Sequence, residues 1–393
     1  MTVIYTDKLA SRGGFGSFWK LLSKWRGSVY KMVWQDMLAY VILYYSLSLI
    51  YRFALPEDYK RDFESFVIHC ARFRNLIPVS FVLGFYVSLV VNRWWGTYQS
   101  LPWPDTLSIL VSTHVKGEDN TSKEIRGTIL RYVNLTIALT FAMVSPVVKA
   151  KYPTQQHFVN AGYLTVSELE ILDDLEKKTT QHKTWVPIMW ACRLVDKARE
   201  EGRVRNAAAQ KMIMDEILKV RGSCGGLMGW NTYNIPLVYT QVVTIAVYSF
   251  FLFSLIGEQF LDPAQQYYKE ASIDLYVPFF ALLQLFFYIG WLKVAEALLN
   301  PFGADDHDFE FLPLLERHTE ISRMLTEPSP NELPAVLQGK KEDLTTPVEV
   351  VDEEEVESQD FFLVKPDSPV RTLSSSVTYV TCQMNEINMQ NDV

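Results

Sequence analysis

Asp305, Asp306 and Asp308 follow within five residues of Asn300-Pro-Phe-Gly303, a tight turn that closes the last long apolar run of the chain. Clustered carboxylates are hard oxygen ligands of the kind calcium prefers. The spacing is not that of an EF-hand, since Gly303 precedes the acids and no Glu stands at the twelfth position of such a loop. Any calcium shell here needs backbone carbonyls to complete it, and the carbonyls left free at the end of the preceding helix are natural donors. The same run also reads as a solvated charge cluster at a helix end. Spacing alone leaves both readings open.

A second group with chemical potential lies in another apolar run, where Ile77, Phe81 and Phe85 recur every fourth residue with Pro78 and Gly84 between them. On a helix they share one face. Such a face can meet lipid or pack inside the protein. Alternatively, several subunits can bring it together as an apolar constriction that gates by dewetting, with the positive edges of the aromatic rings turned to a partly dehydrated anion. Catalytic constellations are missing: there is no P-loop, no G-x-S-x-G, no H-E-x-x-H and no dinucleotide fingerprint. Cys70, Cys192, Cys224 and Cys382 show no C-x-x-C spacing, so neither a disulfide framework nor a zinc site is indicated. The expectation is a protein that is not an enzyme and does not bind nucleic acid.

The elements that must position these residues are four spans, each long enough for the hydrocarbon core of a bilayer, at about 33–55, 76–94, 235–261 and 276–299. The 49% hydrophobic content fits spans joined to a large soluble part. The formal net charge of -8 hides an uneven distribution, because the acid gathers after Gly303 and the first thirty residues are basic. Those residues lack a secretory cleavage pattern, so the first span is expected to serve as a signal anchor. Bases crowd the segment before span one and the loop after span two, whereas 262–274 holds only Lys269. By the positive-inside rule both termini and the central loop are expected in the cytosol of a multi-pass cell-membrane protein. Arg72 and Arg74, on the opposite side, are expected to raise the local anion concentration.

A fifth apolar run, Tyr132 to Val148, is short and carries Asn134, Thr136, Thr140 and Ser145-Pro146. A crossing there would put the tail or the basic loop on the wrong side, so it is read as a buried helix of the soluble part. That part, about 100–234, is expected to be helical. Thr121-Ser-Lys-Glu124 and Thr165-Val-Ser-Glu168 fit capping boxes. Helical spacing runs through Trp185, Ile188, Met189, Cys192 and Val195, and again through Ala209, Met212, Ile213, Ile217 and Val220. The channel body is expected over 1–310. The segment 311–393, with its prolines, Asp352-Glu-Glu-Glu355 and Ser/Thr-rich 372–379, is expected to be a mostly disordered cytosolic tail.

Several long segments carry a resemblance: Leu76-Ile-Pro-Val-Ser-Phe-Val-Leu-Gly-Phe-Tyr-Val87, Arg93-Trp-Trp95, Leu101-Pro-Trp-Pro-Asp105, Ile235-Pro-Leu-Val-Tyr-Thr-Gln-Val-Val243, and Gly290-Trp-Leu-Lys-Val-Ala-Glu296 with Asn300-Pro-Phe-Gly303. Up to about Glu310 the chain resembles the bestrophins, calcium-activated anion channels of animals. The resemblance implies an all-α membrane protein, with four transmembrane helices per subunit fused to a helical cytosolic domain, assembled with itself and lipid as a homopentamer around a central pore. It implies chloride, or bicarbonate, as the permeant inorganic anion and calcium as the regulatory ion. Ile77, Phe81 and Phe85 fall on the family's neck and Ala208 on its lower aperture, where related channels often have a bulkier aliphatic residue. The calcium clasp carries over as the side chains of Asp305 and Asp308 with the carbonyls of Ala10, Ala297 and Asn300. His307 interrupts a run that is continuously acidic in relatives, which implies weaker calcium binding. The family's Arg-Phe-Pro signature stands here as Lys151-Tyr-Pro153. The rival reading is a membrane scaffold or regulatory subunit with little conductance of its own.

Overall fold

The computed structural model describes residues 21–262 and 276–326, apart from the side chains of Phe73 and Asn75. The chain divides into one compact unit, Met1–Lys340, and a second, Lys341–Val393, which lies outside the described residues. Among the described residues there is no strand, only an isolated bridge between Val115 and Val204. The chain is an all-α membrane protein.

Four helices form the membrane bundle: α1 (Val29–Leu49, with a π-helical turn over Ile50–Ala54), α3 (Val79–Gln99), α11 (Leu237–Gly257) and α12 (Phe279–Leu299). Between the first two lies the amphipathic α2 (Glu57–Phe73). Proline stands immediately before α2, α3, α11 and α12 as Pro56, Pro78, Pro236 and Pro278. There its missing N–H and fixed φ do no harm, and it stops the preceding segment from continuing as helix. The bundle core interleaves Tyr40, Leu83, Tyr86, Val90, Val247, Phe250 and Leu285. α2 crosses α11 so closely that a Cβ on Gly257 would lie 2.8 Å from the backbone nitrogen of Ala71.

The helical body comprises α4 (Asp105–His114), α5 (Asn120–Val144), the short α6 (Pro146–Lys151) and α7 (Gln155–Asn160), α8 (Val166–Glu176), α9 (Val186–Glu200), α10 (Ala207–Thr232) and α13 (Phe311–Thr326). α5 runs through its centre and buries Ile129, Val133, Leu135, Ile137 and Phe141. By length and apolarity alone four helices among the described residues could cross a membrane: Val29–Ala54, Asn120–Val144, Leu237–Gly257 and Phe279–Leu299. α5 is distinguished by burial, since 61% of its most apolar stretch is covered by protein against 17–33% for the other three. That burial is the reason for placing α5 within the protein and not in lipid. α3, whose last turns carry Asn92, Arg93 and Gln99, is not among these four but packs with α1, α11 and α12 in one apolar core.

The box at Thr165 forms with both hydrogen bonds. The one expected at Thr121 does not, because α5 begins at Asn120 with Asp119 at its N-cap, and the Asp119 carboxylate instead accepts from Ser122 Oγ and Arg203. Trp185 and Met212, counted on the apolar faces, lie exposed beside them. The body also extends past residue 310. α13 packs Phe311, Leu315, His318 and Ser322 against α4 and α5, so the folded part runs through Thr326.

Candidate functional site

The acidic turn is built from the end of α12 outward. Asn300 caps the helix in a non-helical conformation (φ -127°, ψ 85°) and Phe309 N–H donates to the Pro301 carbonyl at 2.9 Å, closing the loop. Inside it, Asp305 N–H donates to Asp308 Oδ2 at 2.7 Å. Gly303 is required by this closure, because a Cβ there would meet the same oxygen at 2.7 Å. Asp308 is only 4% exposed while Asp305 faces solvent. Burial pushes the Asp308 carboxyl up from its ordinary pKa, against the Asp305 hydrogen bond that favours the anion. A neighbouring cation would relieve that cost.

Of the residues expected to hold calcium, the turn brings Asp305 and Asp308 into contact, while Asn300 is the C-cap of α12 and Ala297 belongs to its last turn. Ala10 lies outside the described residues. No group of three or more His, Cys, Asp or Glu side chains is placed to hold a metal among the described residues. Two carboxylates with helix-end carbonyls remain, a hard oxygen set whose chemistry fits calcium.

The third acid, Asp306, turns away from the other two. Lys31 Nζ reaches it at 2.7 Å, Arg26 Nε at 3.4 Å and Gly27 N–H at 3.3 Å. The Lys31 hydrogen bond first, with Gly27 and Arg26 beside it, holds this carboxyl down to about 2. Sequence reasoning read Arg26 and Lys31 as topology signals and left Asp306 without a role.

Beneath the turn, Phe309 stacks on the lower end of α3, 5.4 Å from Trp94 and 6.1 Å from Tyr98 between ring centroids. Phe311 meets Phe302 at 6.0 Å and Phe141 of α5 at 4.8 Å. Arg93 fastens α3 to the body by donating to the carbonyls of Tyr233 and Trp230, where a cation complements the C-terminal end of α10.

α3 has two unlike faces. Val79, Leu83, Tyr86, Val90 and Thr97 are buried in the protein. The opposite line carries Phe81 and Phe85, 63% and 60% exposed with ring centroids 4.7 Å apart, and is preceded by exposed Ile77. The same line continues through Ser88, Asn92 and Gln99, all exposed. At 100° per residue the helical positions fall in one stripe that also takes in Trp95, 51% exposed between Asn92 and Gln99, so the stripe is apolar at its start and mixed with polar groups toward its end, while Ile77 precedes the helix and its N-cap Pro78. The polar positions were missed because the every-fourth-residue spacing of Ile77, Phe81 and Phe85 leads on to Leu89 and Arg93, and Ser88 and Asn92 are reached only through a step of three after Phe85.

Ala208 is exposed in the first turn of α10, next to Asn206, whose side chain accepts from Ala209 N–H at 2.8 Å. The loop before it is tied to the body by Lys116 N–H donating to Arg203 O at 2.8 Å, beside the Arg203–Asp119 ion pair. α10 is roughly 37 Å long at 1.5 Å per residue. Ala208 therefore lies a helix length from the Arg93 junction. On the far side of the bundle, Arg74 pairs with Glu258 and is not the open cation expected there; Arg72 is exposed.

A family model described as "Bestrophin, RFP-TM, chloride channel" matches residues 1–327. The chain belongs to the bestrophin family. Human Bestrophin-2a is 48% identical over 338 residues, covering 86% of this chain and 65% of that protein. Mouse Bestrophin-2 is 49% identical over 324 residues, covering 82% and 63% respectively. Bestrophin homolog 24 of Caenorhabditis elegans is 36% identical over 327 residues, covering 83% and 51%. The chain thus spans between half and two thirds of the length of these relatives. A crystal structure of a point mutant of a bacterial bestrophin homologue from Klebsiella pneumoniae shares the fold, with a TM-score of 0.53 at 14% identity over 76% of this chain and 98% of that one. The family match takes in α13, which the sequence reading had assigned to the tail. In this bestrophin Tyr152 of the Lys151-Tyr-Pro153 signature stacks on Phe158 at 4.9 Å, and Lys151 pairs with Glu316 of α13 at 2.6 Å.

Proposed function

We propose that this chain is the subunit of a homopentameric, calcium-activated, anion-selective channel of the cell membrane, with both termini in the cytosol and chloride, or bicarbonate, as the permeant ion. The observation that carries the reading is the exposed stripe of α3. A lipid-facing helix gains nothing from setting Ser88, Asn92 and Gln99 in line with Phe81 and Phe85, since polar groups in hydrocarbon are costly. A helix lining a water-filled path gains from both halves. Ile77, Phe81 and Phe85 supply the apolar neck, where dehydration and ring edges favour an anion. The polar half offers amide N–H and hydroxyl donors to an ion that has passed it.

Calcium enters the mechanism as a bound regulator at the acidic turn. Asp305 and Asp308, with the helix-end carbonyls, would hold it, and the ion would supply positive charge beside a buried carboxylate. The protein's part is to transmit a change in the turn, and Phe309 against Trp94 and Tyr98 gives it direct contact with the helix that carries the neck. Activation then needs only that calcium favour the open arrangement, about 1.4 kcal/mol for each tenfold shift in the open-to-closed ratio. Ala208 forms the lower aperture, wider here than with a branched aliphatic side chain.

Purified protein in planar bilayers under a chloride gradient, with cytosolic free calcium stepped from nominally zero to micromolar, tests the reading. The expected current reverses near the chloride potential and requires calcium, and Asp305→Ala shifts activation to at least about tenfold higher calcium. Ala208→Val is expected to change relative anion permeability while leaving calcium activation in place. Absence of current at every calcium concentration would put the scaffold reading ahead.

A further inference from the structure

Asp306 stands between the two carboxylates of the calcium reading, yet all three donors that reach it come from the start of α1. Arg26 and Gly27 precede that helix, and Lys31 lies in its first turn, where its N–H also donates to Ser28, the N-cap. The turn is thereby held from two sides. On one side Asp308 accepts from Asp305 N–H and Phe309 from its own loop closes on Pro301. On the other, Asp306 ties it to the first membrane span.

We propose that Asp306 is a positioning residue, which by fastening the beginning of α1 to the acidic turn sets the geometry with which Asp305 and Asp308 hold calcium. The inference rests on the calcium reading above. Two physical effects act together. Three charge-assisted or backbone donors converging on one carboxylate fix its orientation more firmly than a single exposed ion pair does, and the Asp306 side chain is 20% exposed while Arg26 and Lys31 are more than half exposed. Two cations also neutralise a third carboxylate that would otherwise compete for the ion and draw it off the Asp305–Asp308 axis.

The test is calcium-dependent thermal stabilisation of the purified full chain, titrated from EGTA to millimolar calcium, which yields an apparent affinity without any current. Asp306→Asn is expected to weaken it about five- to tenfold. Lys31→Met, a change at an exposed position that spares the fold, is expected to weaken it about two- to threefold. The double variant should be no weaker than Asp306→Asn alone, because both remove the same attachment. Asp306→Glu should restore most of the loss. Were Asp306 a direct calcium ligand instead, Lys31→Met would free its carboxylate and tighten binding. Tighter binding in Lys31→Met, additive losses in the double variant, or an unchanged Asp306→Asn would each overturn the inference while the wild-type response stands. A wild-type protein that calcium does not stabilise would overturn the calcium reading and this inference with it, which separates the two failures.

Discussion

The helices α11 and α5 are both more than twenty residues long and both apolar enough to cross a bilayer, yet one stands in the membrane bundle and the other in the middle of the helical body. α11 leaves Leu237, Val238, Val242, Ile245 and Leu252 exposed. α5 covers nearly its whole circumference, and its polar residues find partners there. Asn134 Nδ2 donates to Ser322 of α13 at 3.0 Å, Thr140 donates to the Thr136 carbonyl at 2.8 Å, and Arg126 donates to the carbonyls of Val115 and Gly117. Apolar content measures how much surface a helix must hide. The fate of its polar side chains tells whether lipid or protein hides it.

The contrast is sharpest at Phe141, which is fully buried and meets Phe311 edge to face. Phe141→Ala is expected to cost about 3–5 kcal/mol, read as a large fall in the melting midpoint of the purified protein. A loss under about 1 kcal/mol would mean that the body is not the close-packed region described. Next in size is an acid effect confined to the body. His318 of α13 is fully buried between Trp103 and Arg317, and burial pushes its pKa down from 6.5 to about 4. Between those values the unfolded chain binds a proton that the folded chain refuses. Stability is complete above pH 6.5 and falls as pH drops toward 4. From pH 7.5 to 5.5 the loss attributable to His318 is roughly 1 kcal/mol, and melting curves of His318→Gln should fall less steeply over that interval. Identical slopes would remove His318 from the account. Smallest of all, Leu252→Ala on the outer face of α11 should change stability by about 0.5 kcal/mol or less, because lipid or detergent replaces what the side chain touched. A core-sized loss there would show that the face is covered by another subunit.

Much of this architecture is legible in the residues. Span lengths follow from apolar runs, and Asn134, Thr136 and Thr140 argue against a crossing before any packing is known. α13 escaped because half of its buried face is polar. His318 and Ser322 do not register in a hydrophobic pattern, and Pro313 reads as a break although it falls in the first turn, where proline is tolerated. The acidic turn was legible as a group but not residue by residue. Which of three neighbouring carboxylates turns inward, and which turns to Lys31, depends on a contact between positions 275 residues apart. Ser88, Asn92 and Gln99 come onto the same line as Phe81 and Phe85 only when a step of three is allowed after Phe85. Hydrophobic periodicity follows only the apolar members of a face, so its polar continuation passes unnoticed.

The crossing of α2 and α11 at Gly257 is set by backbone meeting backbone. Most helices in the bundle meet through interlocking side chains, so one cannot shift along another without repacking. At Gly257 bare backbone meets the backbone of Ala71, while Ile256 beside it packs into the small cluster of Tyr51, Val67 and Leu261. The two helices therefore approach each other here more closely than any side chain would allow. A methyl group fitted at Gly257 would meet the Ala71 nitrogen at 2.8 Å and push the two helices apart.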